Sequence, residues 1–324
     1  MRTLQVGKNE AGQRLDKLLA KYLNQAPKSF LYKMLRKKNI KLNGRKAEGS
    51  EKLTEGDVIE LYLAEETIAG FQKEAQVQKV PKAGLDIVYE DDNVLLINKP
   101  AGMLSQKAKE SDVSLVEHVI SYLLDSGQLT KADLAVFRPG ICNRLDRNTS
   151  GLVAAGKSLA GLQAMNELFK ERSLHKFYRC IVAGTVTEKT RIQGWLWKDE
   201  ATNQVRIYKE EQKDALPICT EYIPLQQLTI SGRPYTYLEV NLITGRSHQI
   251  RAHLASIGHP LIGDTKYGDA RINDYFRKQY GLKYQLLHAY RLELPELTGA
   301  LEQISGKSFT APLPQLLKEL TAKS

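Results

Sequence analysis

The stretch Asn143-Arg144-Leu145-Asp146-Arg147-Asn148-Thr149-Ser150-Gly151-Leu152 sets one carboxylate between two guanidinium groups, follows it with turn formers, and then enters the apolar run Leu152 to Ala155. Asn, Thr, Ser and Gly favour tight turns, and a short apolar run bounded by them reads as a buried strand. The pattern predicts a loop packed against the edge of a sheet, with Asp146 held at its crest. An isolated Arg-x-Asp is most often a surface ion pair of little energetic consequence. The reading therefore depends on what surrounds these ten residues.

Upstream, Leu85 to Tyr89 and Val94 to Asn98 read as strands joined by the polar turn Glu90-Asp91-Asp92-Asn93, and the loop Lys99-Pro100-Ala101-Gly102 follows them. Leu115 to Leu124 has helical spacing. Downstream, Leu159, Leu162, Met165, Leu168 and Phe169 mark an amphipathic helix whose Met and Phe belong to the core. Phe177 to Ala183 is a strand, residues 193–232 read as further strands with charged turns, and Tyr235 to Leu242 alternates as an antiparallel strand does. Ser247 to Ile257 reads as a helix closed by Gly258. Many strands with few intervening helices predict an α+β catalytic domain built on a mixed, mostly antiparallel sheet.

The amino-terminal residues have a different character. Leu15, Leu18, Leu19, Tyr22 and Leu23 lie at helical spacing; after Pro27, Ser29 is placed to cap a second helix. That helix turns Leu31, Met34 and Leu35 inward and Lys33, Arg36, Lys37 and Lys38 outward. Ile40-Lys41-Leu42 then meets Asn43-Gly44, a strong hairpin signal, and Glu55-Gly56-Asp57 leads into a strand from Val58 to Leu63. Residues 64–83 carry Glu, Gln and Lys with little periodicity, end near Pro81, and read as a linker. At 324 residues the chain has room for two domains: residues 1–63, and 84–324 beyond the linker.

The net charge is +10. Residues 1–63 hold 14 Lys and Arg against 7 Asp and Glu, so most of that excess lies in about a fifth of the chain. A concentrated positive field attracts polyphosphate backbones. No apolar run approaches the length of a membrane span and the first residues lack a signal-peptide core, so a cytoplasmic protein is expected. Cys142, Cys180 and Cys219 are too few and too dispersed for a disulfide framework or a paired-Cys zinc site. Cys142 lies near Asp146, but no His neighbours it in an arrangement that would make it a nucleophile. His248 and His253, five apart, do not suit two metal ligands on one helix face, and no metal is expected.

Taken with two later blocks, the opening stretch resembles the signature of the RluA-type pseudouridine synthases, His-Arg-Leu-Asp-x-x-Thr-Ser-Gly. The second block is Lys176-Phe177-Tyr178-Arg179-Cys180-Ile181-Val182-Ala183-Gly184. The third runs from Leu242 through Thr244-Gly245-Arg246-Ser247-His248-Gln249-Ile250-Arg251 to Leu254. The resemblance covers residues 84 to about 312, with Leu286 to Pro295 and Phe309 to Pro312 similar to the family's closing strands. Residues 13–63, through Arg14-Leu15-Asp16-Lys17-Leu18-Leu19 and Ile40-Lys41-Leu42-Asn43-Gly44, resemble the alpha-L RNA-binding module.

The resemblance implies an isomerase that breaks the N1–C1′ bond of a uridine in RNA, rotates the detached uracil and joins C5 to C1′. Only protons enter or leave, so no cofactor is implied. The chemistry asks for an ionised carboxylate in a site closed to water. Burial raises a carboxylate pKa, and a guanidinium at hydrogen-bonding distance lowers it by roughly 1–3 units. The resemblance gives the acid as Asp146 and its partner as Arg251, with Asp146 acting either as nucleophile or as the base that takes the ribose 2′ proton. Arg144 would fill the space left by the flipped base, with a planar guanidinium suited to stacking. Tyr178 would lie over the base, stacking first and moving protons second, because an ordinary phenol titrates near ~10. Spacing puts His248 and Arg251 on one helical face, facing the site, while Ile250 and Leu254 hold the helix to the core. Arg246 and His248, together with Lys33, Arg36, Lys37 and Lys38, are expected to bind RNA.

One departure stands out: Asn143 occupies the position of the family's His, which puts in question that side chain's part in ordering the loop. Family members with the extra module imply large-subunit ribosomal RNA as substrate, with transfer RNA as the alternative, and a monomer is expected. Two rival classes remain: an RNA-binding assembly factor of the same fold that does not turn over, and an RNA methyltransferase. The intact Asp146, Tyr178 and Arg251 set speaks against the first. The second would need a Gly-rich cofactor loop after an early strand, and none is found.

Overall fold

Two hydrophobic cores form on two sheets. A computed structural model describes residues 1–73, 78, 80 and 84–322. The first sheet has the order β1 (Arg2–Gln5), β4 (Val58–Leu61), β2 (Ile40–Leu42), β3 (Arg45–Lys46), all antiparallel. Against it pack α1 (Leu15–Tyr22) and α2 (Lys28–Arg36), whose buried residues Leu15, Leu18, Leu19, Leu31, Met34 and Leu35 are those picked out by spacing. The β2–β3 turn places Asn43 at φ 51° and Gly44 at φ 73°, the two left-handed residues that a tight hairpin turn requires.

Two details of this unit differ from the sequence reading. The residue before α2 is Pro27, in extended conformation with no side-chain cap, and Ser29 is the helix's second residue. Proline suits that junction because its fixed φ is pre-organised there and its missing N–H is one that a helix start leaves unpaired anyway. The linker also begins later than expected. Helix α3 (Glu65–Gly70) buries Ile68 in the first core, Phe71 packs on Phe30 at 4.7 Å, and Asn24 exchanges two hydrogen bonds with the Lys73 backbone. One apolar residue in a short polar stretch was too little pattern to reveal a helix. Of the remaining linker, 74–77, 79 and 81–83 lie outside the described residues.

The second sheet has eleven strands among the described residues. In chain order its elements are β5 (Ile87–Glu90), β6 (Val94–Lys99), α4 (Leu115–Asp125), β7 (Gly140–Ile141), β8 (Ser150–Gly156), α5 (Leu159–Glu171), β9 (His175–Ala183), β10 (Thr190–Asp199), β11 (Gln204–Tyr208), β12 (Leu216–Ile230), β13 (Arg233–Leu242), α6 (Gln249–Ser256), α7 (Ala270–Tyr280), β14 (Leu287–Glu293), β15 (Ser308–Thr310) and α8 (Gln315–Ala322). Its order is β11-β10-β12-β13-β9-β14-β8-β6-β5, with β15 on β14 and β7 on β8. Every pairing is antiparallel except β8 with β14, through His288 to Ser150 and Ala289 to Gly151.

One face of this sheet, with Leu95, Val153, Tyr178, Cys180, Leu238 and Val240, packs on α4 and α6. The other face is covered in two places, by α5 with the turn at 299–304 and by α7 with α8. The sequence reading did not contain α7 or α8. Helix α8 carries Leu317 and Leu320 into the core beside Phe276 of α7, so the folded unit continues past residue 312. Among the described residues no helix is long and apolar enough to cross a membrane.

Candidate active site

The loop carrying Asp146 is fixed from both sides by its backbone. At its start, Asn143 donates from Nδ2 to Leu152 O at 3.3 Å and accepts from Ala154 N at 2.8 Å, which pins the loop to β8. The buried Ser105 hydroxyl donates to Leu145 O and accepts from Leu145 N. At the far side, the fully buried Lys99 at the end of β6 donates to the carbonyls of Pro100, Met103 and Arg147. Burial pulls the Lys99 ammonium down to about 8, a fall that the charge of Asp146 opposes. Gly102 N also donates to Arg147 O, and Arg147 Nε donates back to Gly102 O.

Asp146 accepts one hydrogen bond on its carboxylate, from Arg251 Nη1 to Oδ2 at 2.8 Å. The pairing joins residues 105 apart in sequence. Arg251 is buried on α6, and its other edge is occupied: Nε donates to Asp264 Oδ2 at 2.7 Å and Nη2 to Asp264 Oδ1 at 2.8 Å. Asp264 is completely buried and also accepts from the backbone N–H groups of Lys266 and Tyr267. Burial works to raise the Asp264 carboxyl, but the Arg251 fork and the two amides hold it below the usual carboxylate range. The Arg251 guanidinium loses from burial and gains more from its two carboxylates, so it stays charged.

Tyr178, on β9, is 8% exposed and borders the same groove. Burial first, and the charge of Asp146 second, push its phenol well above the ordinary value. It is a protonated flat surface and a poor base. Arg144 is exposed on the groove wall. Arg246 lines the groove with a buried Nε that has no protein partner. His248 lines it as well, but the expected shared helical face with Arg251 is not how the two meet. Helix α6 begins at Gln249, and His248 stands before it in the left-handed conformation (φ 53°). Tyr267 joins them instead: its hydroxyl shares a 2.9 Å hydrogen bond with His248 Nδ1, and Arg251 lies over its ring at 5.3 Å. Burial lowers the His248 pKa.

These six residues share a groove of about 1000 Å³. Lys33, Arg36, Lys37 and Lys38 do not line it; they are exposed along α2 and just past its end, in the first unit. Six cations of the groove were not found from sequence: Lys107, Arg147, Lys170, Arg172, Lys176 and Lys198. They come from five separate places in the chain; Arg147 and Lys176 fall within blocks already read, and the other four in none. Asp264 was missed as well, because Asp264-Thr265-Lys266 reads like any side-chain-stabilised turn. Among the described residues, nine Lys and Arg side chains line the groove and Asp146 is its one acid. Asp146 is also more open than expected, with 27% of its side chain exposed. The Cys142 thiol is pushed up to about 12 by burial, which disfavours its thiolate. Among the described residues no three His, Cys, Asp or Glu side chains are grouped to hold a metal ion.

A family model described as RNA pseudouridylate synthase matches residues 93–256, and one described as S4 domain matches residues 13–59. The chain is 28% identical over 296 residues to ribosomal large subunit pseudouridine synthase C of Vibrio cholerae, covering 90% of this chain and 87% of that protein. It is 32% identical over 316 residues to ribosomal large subunit pseudouridine synthase D of Neisseria meningitidis, covering 94% of this chain and 76% of that one. The solved structure of human RNA pseudouridylate synthase domain containing 4 superposes with a TM-score of 0.56 at 23% identity, over 73% of this chain and 91% of that chain, and shows the same fold.

Proposed function

The chain belongs to the RNA pseudouridylate synthase family, and from this premise we propose that it isomerises uridines of large-subunit ribosomal RNA with Asp146 as the reacting carboxylate. The observation that carries the assignment is a single acid among the nine Lys and Arg side chains that line the groove, held by one N–H of a buried guanidinium. Phosphates are drawn to such a wall, and the one group of opposite charge is the one a sugar carbon or a 2′ proton could meet.

The target uridine must leave its stack, at a cost of a few kcal/mol. Arg144, exposed at the groove wall two residues before Asp146, takes the space it vacates. Tyr178 offers the face on which the detached uracil rests while it turns from N1 to C5. Arg246, with an unpaired Nε, and His248 receive the backbone flanking that nucleotide. The C5 proton leaves and N1 gains one, so the reaction closes without a redox partner. The basic face of α2, with Lys33, Arg36, Lys37 and Lys38, holds RNA outside the groove. The reading includes a monomer acting in the cytoplasm, with an RNA-holding unit ending near residue 73 and a catalytic unit from residue 84.

Release of tritium from C5-labelled RNA tests the proposal. Ribosomal RNA from cells lacking the protein should release label with the native enzyme and none with Asp146→Asn, while the variant's RNA affinity stays within about threefold, since a nearly isosteric change leaves the cationic wall intact. Turnover by Asp146→Asn would refute the role of that carboxylate. Release from transfer RNA in place of ribosomal RNA would overturn the substrate class, and no release from either would leave an RNA-binding factor.

A further inference from the structure

Arg251 serves two carboxylates, and the division between them is unequal. Asp264 takes the Nε–Nη2 edge as a two-bond fork at 2.7 and 2.8 Å, while Asp146 receives a single bond from Nη1. Asp146 Oδ2 is thereby occupied, and Oδ1 accepts no hydrogen bond among the described residues. A lone arginine facing a lone carboxylate in a low-dielectric site prefers the two-bond fork, which would engage both oxygens.

We propose that Asp264 is a positioning residue for the isomerisation: by occupying the fork of Arg251 it keeps the Asp146 pairing to one bond, so that one carboxylate oxygen stays available to the substrate. This rests on the roles given above to Asp146 and Arg251. Three further observations support it. Asp264 is fully buried, and its Oδ1 is fixed by the N–H groups of Lys266 and Tyr267. Its carbonyl accepts from Asn273 Nδ2 and Gly268 N, which anchors the turn to the start of α7. The Tyr267 ring lies under the guanidinium, and its hydroxyl is tied to Val205 N and His248. A carboxylate needed only to neutralise a buried arginine would be redundant here, since Asp146 already supplies a negative charge.

The consequence is read in the rate of the chemical step set against RNA affinity. The charged and titratable groups around Asp146 are Lys99 from β6, Arg144 and Arg147 in its own loop, Tyr178 from β9, His248 and Arg251 at α6, and Asp264 behind Arg251. Asp264→Asn removes the charge and puts a donor where the fork needs an acceptor. Arg251 is then free to swing both N–H groups onto Asp146, which ties up Oδ1.

Single-turnover pseudouridine formation on ribosomal RNA should fall by about 10²-fold, the scale of a catalytic group displaced by roughly 1 Å. RNA affinity should be unchanged within about threefold, which separates a slowed reaction from weakened binding. In the Arg251→Met background the same substitution should have no further effect, as expected of a residue that acts through its neighbour. If Asp264→Asn does not fold, Arg251→Lys probes the same point: an ammonium cannot serve both partners with a planar fork, so the rate should fall as far with affinity kept. Near-native rates in the folded variant, with Asp146→Asn inactive, overturn the inference and leave the catalytic reading intact. Activity of Asp146→Asn overturns both.

Discussion

At the scale of single residues, the loop around Asp146 shows how backbone hydrogen bonds set a side chain's position. Asn143 replaces the histidine of the resembling signature, and the sequence left its part in ordering the loop in question. Its amide both donates and accepts, and it uses the two functions on two strand residues, Leu152 and Ala154. Asn143→Ala would leave the N–H of the buried Ala154 without a partner. The expected loss is about 1–3 kcal/mol of stability, with a fall in turnover because the loop start is released; a melting temperature and rate equal to those of the parent would contradict it. The residues proposed to carry the chemistry, Arg144, Asp146, Tyr178 and Arg251, stand out in the sequence because each sits in a block of several matching residues. Asp264 was not, since nothing local distinguishes an aspartate that caps a turn from one that also grips a distant guanidinium.

At the scale of elements, the seam between β8 and β14 is the tightest constraint in the second unit. Gly151 adopts φ +111°, and a Cβ there would lie 2.2 Å from Ala289 O and 2.6 Å from Ala289 N, both backbone atoms that cannot yield without parting the strands. Gly151→Ala should therefore cost more than about 4 kcal/mol, beyond the usual range of point substitutions. A thermal-unfolding midpoint within a few degrees of the parent would show that the seam relaxes. The apolar run Leu152 to Ala155 made β8 legible, and alternation did the same for β13. Helix α7 was missed for a physical reason: Ala270-Arg271-Ile272-Asn273-Asp274-Tyr275-Phe276 is polar on most of its circumference and buries only Asn273 and Phe276, so its stripe is too narrow to read. Helix α3 was hidden in the same way.

At the scale of the whole molecule, charge is divided between two places, the outer face of α2 and the groove, and each should neutralise its own share of RNA phosphates. Removing residues 1–73, the whole first unit with α3, should weaken RNA binding and lower the slope of log affinity against log salt by about 0.9 for every duplex phosphate that unit neutralises. An unchanged slope would give that unit some role other than holding RNA. The α+β class and the two-unit division follow from local periodicity and composition; the order of the strands does not, because it is set by pairings between distant residues. The parallel seam is the extreme case, joining Gly151 to Ala289 beside a groove whose acid sits at 146 and whose guanidinium sits at 251. Ribosome-borne chains would thus carry the acid loop exposed and incomplete until β14 has emerged. Only when that strand slots between β9 and β8 and brings Leu287 to the groove wall is the groove complete, so catalytic competence should switch on all at once at that step.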